Sequence, residues 1–124
     1  MSSKNPGKKM GGFTLIELIM VLTILCVLAA IALSQFTMAK MQGYNASSKS
    51  DLKNAYTAAQ SYYGDNPTGN ISSTNDLERY GFRGTGNVNF TIVDGREGSL
   101  SMTAIYGVPG ATTYSINSMG SISP

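Results

Sequence analysis

Gly11-Gly12-Phe13-Thr14-Leu15-Ile16-Glu17 opens an apolar run that lasts to Phe36. Phe13 to Phe36 is 24 residues long and carries one charge, Glu17. At about 1.5 Å rise per residue this makes roughly 36 Å of helix, enough to cross a hydrocarbon core of about 30 Å. Lys4, Lys8 and Lys9 precede the run, and a basic flank on that side predicts an N-terminus held in the cytoplasm. An acid four residues into an apolar helix costs a few kcal/mol to insert, so Glu17 should have a partner or a function. The alternative is that it lies at headgroup level, solvated.

Residues 1–12 are too short and polar to be a complete secretory signal, whose apolar core precedes the cut and is lost with it. Here the apolar segment follows. The pattern of a short basic leader ending in Gly12, then Phe13-Thr14-Leu15-Ile16-Glu17, then about twenty apolar residues resembles the type IV pilin family, in its short-headed major pilin form. Leu28-Ala29-Ala30-Ile31-Ala32 and Gln35-Phe36 add to the likeness, whose specific motifs cover roughly residues 10–63. The resemblance implies cleavage between Gly12 and Phe13 by a prepilin peptidase, then N-methylation of the Phe13 amine. It also implies an assembly contact in which Glu17 of one subunit meets the Phe13 amine of the next. Two positions depart from the family: Cys26 stands where many pilins have Gly, and Ser34 where they have Pro. Without those helix-weakening residues the segment Cys26–Ser34 is expected to stay helical.

Beyond Phe36 the helical pattern continues. Met38, Met41, Leu52, Ala55, Tyr56, Ala59 and Tyr63 fall at spacings near three and four, while Lys40, Lys49, Asp51, Lys53 and Asn54 are assigned to other faces. Gly43 and Ser47-Ser48 are weak points, and Gly64-Asp65-Asn66-Pro67 is a stop. Residues 64–87, rich in Gly, Asn, Ser and Thr, read as a loop holding a short helix at 75–80, with Asn75 as its cap, Gly81 as its end, and Leu77, Tyr80 and Phe82 over the core edge. Val88, Phe90 and Ile92, then Leu100, Met102, Ala104 and Tyr106, alternate with polar residues, and Thr113–Ile116 is a third strand.

The expected architecture is therefore α+β, a type IV pilin fold. Leader 1–12 is removed, 13–36 spans the membrane and drives assembly, 37–63 continues the helix amphipathically, and 64–124 forms a loop and a three-stranded antiparallel sheet packed on it. About 60 to 80 head residues make a marginal core, which docking on the helix would support.

Composition narrows the chemistry. The chain has nine Lys and Arg and seven Asp and Glu; loss of the three leader lysines leaves six against seven, or −1. No basic field for nucleic acid results. With no His, and Cys26 alone inside the apolar run, no intramolecular disulfide or His/Cys metal site is available. No catalytic constellation, metal or cofactor is expected. The sequons at Asn45, Asn70 and Asn89 are short enough to arise by chance and read as polar surface.

The resemblance implies a major pilin that waits in the bacterial inner membrane among lipids. An assembly platform and a cytoplasmic ATPase would then draw it into an extracellular, self-associated filament for adhesion, twitching motility or DNA uptake. The alternatives are a type II secretion pseudopilin and a minor pilin. Major pseudopilins usually bind calcium through acids near the C-terminus, and residues 98–124 hold no Asp or Glu. A further alternative, electron transfer through Phe13, Phe36, Tyr44, Tyr56, Tyr62 and Tyr63, competes with ordinary packing of those rings, which is the favoured reading.

Overall fold

The computed structural model describes residues 12–124; the expected basic leader with Lys4, Lys8 and Lys9 lies outside the described residues. Helix α1 runs over Leu15–Asp65. Its start is set by Thr14, whose Oγ1 accepts the Glu17 backbone N–H at 3.2 Å, satisfying one of the donors that a helix leaves open at its first turn. Helical structure continues through Cys26, Ser34, Gly43 and Ser47-Ser48. Thr23 and Thr37 donate their hydroxyls to the carbonyls of Ile19 (2.8 Å) and Leu33 (3.0 Å), so the polar atoms of this apolar stretch are satisfied within the helix. At the far end the Asn66 backbone N–H and its Nδ2 both donate to the Tyr62 carbonyl, at 2.8 and 3.1 Å, and Pro67 follows.

The chain divides into two compact units, one ending at Met38 and the other Ala39–Pro124. In the first, every described residue is exposed, and the helix is long and apolar enough to cross a membrane.

In the second, strands β1 (Val88–Asp94), β2 (Ser101–Tyr106), β3 (Tyr114–Asn117) and β4 (Ile122–Ser123) form one antiparallel meander in the order β1-β2-β3-β4. The sheet is antiparallel and packed on the helix as expected, with a fourth strand added. Two residues carry no readable alternation; β4 exists because the turn at 117–121 folds it back, with Asn117 Oδ1 accepting the Met119 and Ser121 N–H groups, both at 3.0 Å. The β1–β2 connection is looser than a hairpin turn. The register slips between Ile92 and Asp94, a 3-10 turn occupies Glu97–Ser99, and Leu100 precedes β2 rather than opening it.

Leu52, Ala55, Ala59 and Tyr63 of α1 meet Met102, Ala104 and Ile116 of the sheet in a core that also takes Ala58, Ile71, Leu77, Phe82 and Leu100. Full burial of a large aliphatic side chain contributes about 1.5–3 kcal/mol. Small alanines on α1 let the sheet approach it closely. Met38, placed on the apolar stripe by its spacing, is exposed. Asp51, assigned to a solvent face, is buried instead. The reason is the loop before β1, which crosses the helix there: Asp51 accepts the Thr85 N–H at 2.8 Å and its hydroxyl at 2.9 Å.

Helix α2 is Thr74–Glu78, beginning at the Ser73 cap rather than at Asn75. Asp76 supplies the local anchor instead, accepting the Ser72 N–H at 3.1 Å and its hydroxyl at 3.3 Å. Gly81 ends the helix at φ 99°, with the Phe82 N–H on the Leu77 carbonyl and the Gly81 N–H on the Glu78 carbonyl. That crossed pair is a Schellman motif, and it brings Leu77 and Phe82 together into the core.

Candidate assembly and processing site

Gly12 and Phe13 lie just before α1, and Glu17 sits in its first turn. A Cβ built at Gly12 meets nothing within 4 Å. Nothing in the chain's own fold therefore demands glycine there; a demand would come from whatever binds the backbone at this point. Phe13 is 84% exposed. Among the described residues no hydrogen bond or ion pair engages the Glu17 carboxylate, and none joins Phe13 to Glu17 within the chain. An acid aimed outward from an apolar helix without an internal partner is a group to be satisfied from outside.

Thr14 is a residue whose role the sequence reading missed. Its signal was present, because Thr14-Leu15-Ile16-Glu17 is the Ser/Thr-x-x-Glu pattern of a helix start. The exposed side chains behind it, from Leu15 to Met38, form an apolar surface unsupported by any core.

Comparison with protein families matches residues 7–33 to the prokaryotic N-terminal methylation motif. The chain carries the N-terminal signature of type IV pilins and pseudopilins. No curated protein matches the chain. The motif ends at Leu33, so in this pilin-type chain the likeness of the second unit rests on its fold: a long apolar N-terminal helix with an antiparallel sheet packed on its later part. The signature implies processing by a prepilin peptidase, and the apolar helix fits anchoring in a membrane.

The pilin-type head is held together by polar ties that sequence spacing does not reveal. Tyr63 is buried and donates its hydroxyl to the Gly95 carbonyl at 2.6 Å. Burial, then the negative charges of Glu97 and Asp94 and the neighbouring Tyr62, push its pKa up to about 12. A Cβ at Gly95 would lie 1.9 Å from the Ile71 carbonyl oxygen, so only glycine permits the approach. Asp94 is held well below the usual carboxylate range by Arg96, whose side chain and N–H both bond to it, and by the Ser99 hydroxyl. Near the C-terminus Tyr56 donates to the Ser118 carbonyl at 3.2 Å, and Asn45 accepts the Thr112 N–H at 3.1 Å. These contacts tie the two C-terminal turns to α1 in a chain with no second cysteine to do so. Tyr44 stacks on Tyr106 at 4.3 Å, while Tyr62 meets Tyr63 and Tyr80 edge-on at 5.7 and 5.8 Å. The rings pack within the head in separate small groups.

Proposed function

We propose that the chain is a major structural subunit of a type IV pilus. The observation that carries this reading is the methylation motif joined to an apolar helix whose side chains from Leu15 to Met38 are all without a core of their own. A prepilin peptidase removes residues 1–12, the backbone at Gly12 passing close to the enzyme because no side chain intervenes. The new Phe13 amine is methylated. Residues 13–36 hold the subunit in the inner membrane, and residues 37–124 stand outside the cytoplasm. An assembly platform with its cytoplasmic ATPase moves the helix from lipid into a bundle of like helices, exchanging one apolar environment for another. Glu17 accepts a charge-assisted hydrogen bond from the Phe13 ammonium of the adjacent subunit, and the low dielectric of the bundle strengthens it. A subunit slipped along the axis would strand that carboxylate, so the pair fixes register. Adhesion, twitching motility and DNA uptake are the uses open to such a filament.

The absence of acids from residues 98–124 weighs against a calcium-dependent major pseudopilin. Deleting the gene and restoring it decides between roles. Loss and return of surface fibres that bind an antibody to residues 64–124 is expected; intact fibres with a defect in protein secretion would assign the chain to a secretion system.

A further inference from the structure

A depression of about 480 Å³ lies where the last turn of α1 meets α2, lined by Tyr62, Asn66, Asp76, Arg79 and Tyr80. The size falls within the range of about 300–1,000 Å³ typical of small-molecule sites. Tyr62 and Tyr80 stand at 83° to one another, their centroids 5.8 Å apart, and form an aromatic corner. Tyr80 is fixed by its hydroxyl, which donates to Asp65 Oδ2 at 2.9 Å. Asn66 spends its Nδ2 on the Tyr62 carbonyl (3.1 Å) and the Tyr80 oxygen (3.4 Å), which leaves its Oδ1 as an acceptor. Asp76 binds Ser72 through Oδ2, which leaves Oδ1. Among the described residues nothing hydrogen-bonds the Arg79 guanidinium.

The depression thus offers aromatic walls, two carbonyl-type acceptors and a planar set of donors, all within one rim. Asp76 and Arg79 cancel in formal charge, and Asp65 behind Tyr80 adds a negative field, so an anion is disfavoured. A ligand that matches has an apolar flank of C–H groups for the rings and neutral groups that both donate and accept for the polar atoms. We propose that this depression is a binding site for a neutral sugar ring, giving the head a glycan-recognition function separate from filament assembly. The neighbouring depression lined by Asn75, Glu78, Arg79, Arg83 and Gly84 has no aromatic wall, and Arg83 there is already engaged with the Glu78 and Phe82 carbonyls.

The test uses the full chain in a zwitterionic detergent that carries no sugar headgroup. Methyl β-glucoside, methyl β-galactoside and methyl N-acetyl-β-glucosaminide are titrated, with methyl β-glucuronide as the charged probe, and ¹H–¹⁵N shifts are followed at the Asn66 side-chain amide and Arg79 Nε. At least one neutral glycoside is expected to give saturable shifts confined to these residues and their neighbours. Arg79→Ala, at an exposed position, should keep the same unfolding transition and bind about tenfold more weakly, the loss of one hydrogen bond from a charged donor. Asp76→Asn keeps the Ser72 acceptor and should bind more weakly too, which separates binding from folding. Lys53→Ala, with the same change of charge higher on α1, should bind as wild type. No saturable shift from any neutral glycoside, tighter binding of the glucuronide, or unchanged affinity in both pocket variants would overturn the proposal.

Discussion

The Asp51 carboxylate and Thr85 are joined twice, by the Thr85 N–H at 2.8 Å and its hydroxyl at 2.9 Å, across 34 residues of sequence. Asp51 is only 3% exposed, so these two bonds are what makes an ionised group tolerable there. They pin the loop between α2 and β1 to α1. Asp51→Ala should therefore destabilise the head by about 2–4 kcal/mol, because the Thr85 N–H loses its partner as well. Asp51→Asn, which keeps one acceptor oxygen, should lose less than Asp51→Ala. Urea unfolding followed by tyrosine near-UV signals measures both; equal stability of Asp51→Ala and wild type would remove the pin from the account.

Gly95 admits no side chain. Gly95→Ala should lower head stability by about 2–4 kcal/mol, as the Ile71 carbonyl is backbone and must be displaced along with the Tyr63 hydrogen bond. Gly98→Ala, where a Cβ meets nothing within 4 Å, should stay within about 0.5 kcal/mol of wild type. Thermal unfolding of the two variants side by side checks the contrast.

Tyr63 gives the head an alkaline limit. Its pKa is raised to about 12 in the fold, against about 10 in an unfolded chain. The fold favours the neutral phenol, so this contribution is fully present below about pH 10 and is lost as pH rises from about 10 to 12. Tyr63→Phe should be less stable at neutral pH, having lost the bond to Gly95, and should show a flatter decline over that window. An unfolding midpoint measured at intervals from pH 8 to 12 tests this; parallel curves for the two proteins would contradict it.

Under the proposed function, Glu17→Ala should insert into the membrane normally, since it removes an intramembrane charge. It should assemble poorly, because the neighbouring Phe13 ammonium is left alone at a cost of about 3–5 kcal/mol for each subunit. Glu17→Gln should also fail, less completely. Thr14→Ala separates helix capping from pairing, as it removes only the cap, worth about 1 kcal/mol, and fibres should persist. Subunit levels in membrane and sheared-fibre fractions report each outcome; wild-type fibre yield from both Glu17 variants would remove the carboxylate from the mechanism.

The parts of the fold legible in the sequence are those carried by long patterns. The apolar run and its polar continuation give α1, and the period-two alternations at Val88–Ile92 and Met102–Tyr106 give two strands. Gly81 as a helix end was legible because the left-handed backbone it adopts favours glycine. Short or non-local features were not. Ile122–Ser123 is too brief to alternate, and the burial of Asp51 depends on a loop more than thirty residues away. At the N-terminal site the residue types Gly12, Phe13 and Glu17 were readable as a local motif. The sugar-binding depression was not, since Tyr62 and Tyr80 meet through the intervening turn and α2.

The most direct test is the intact mass of the subunit in filaments sheared from cells. The account predicts a chain that begins at Phe13 and carries one added methyl group, with residues 1–12 gone. A filament subunit that retains Met1 to Gly12, or sheared filaments in which this chain is absent, would contradict it.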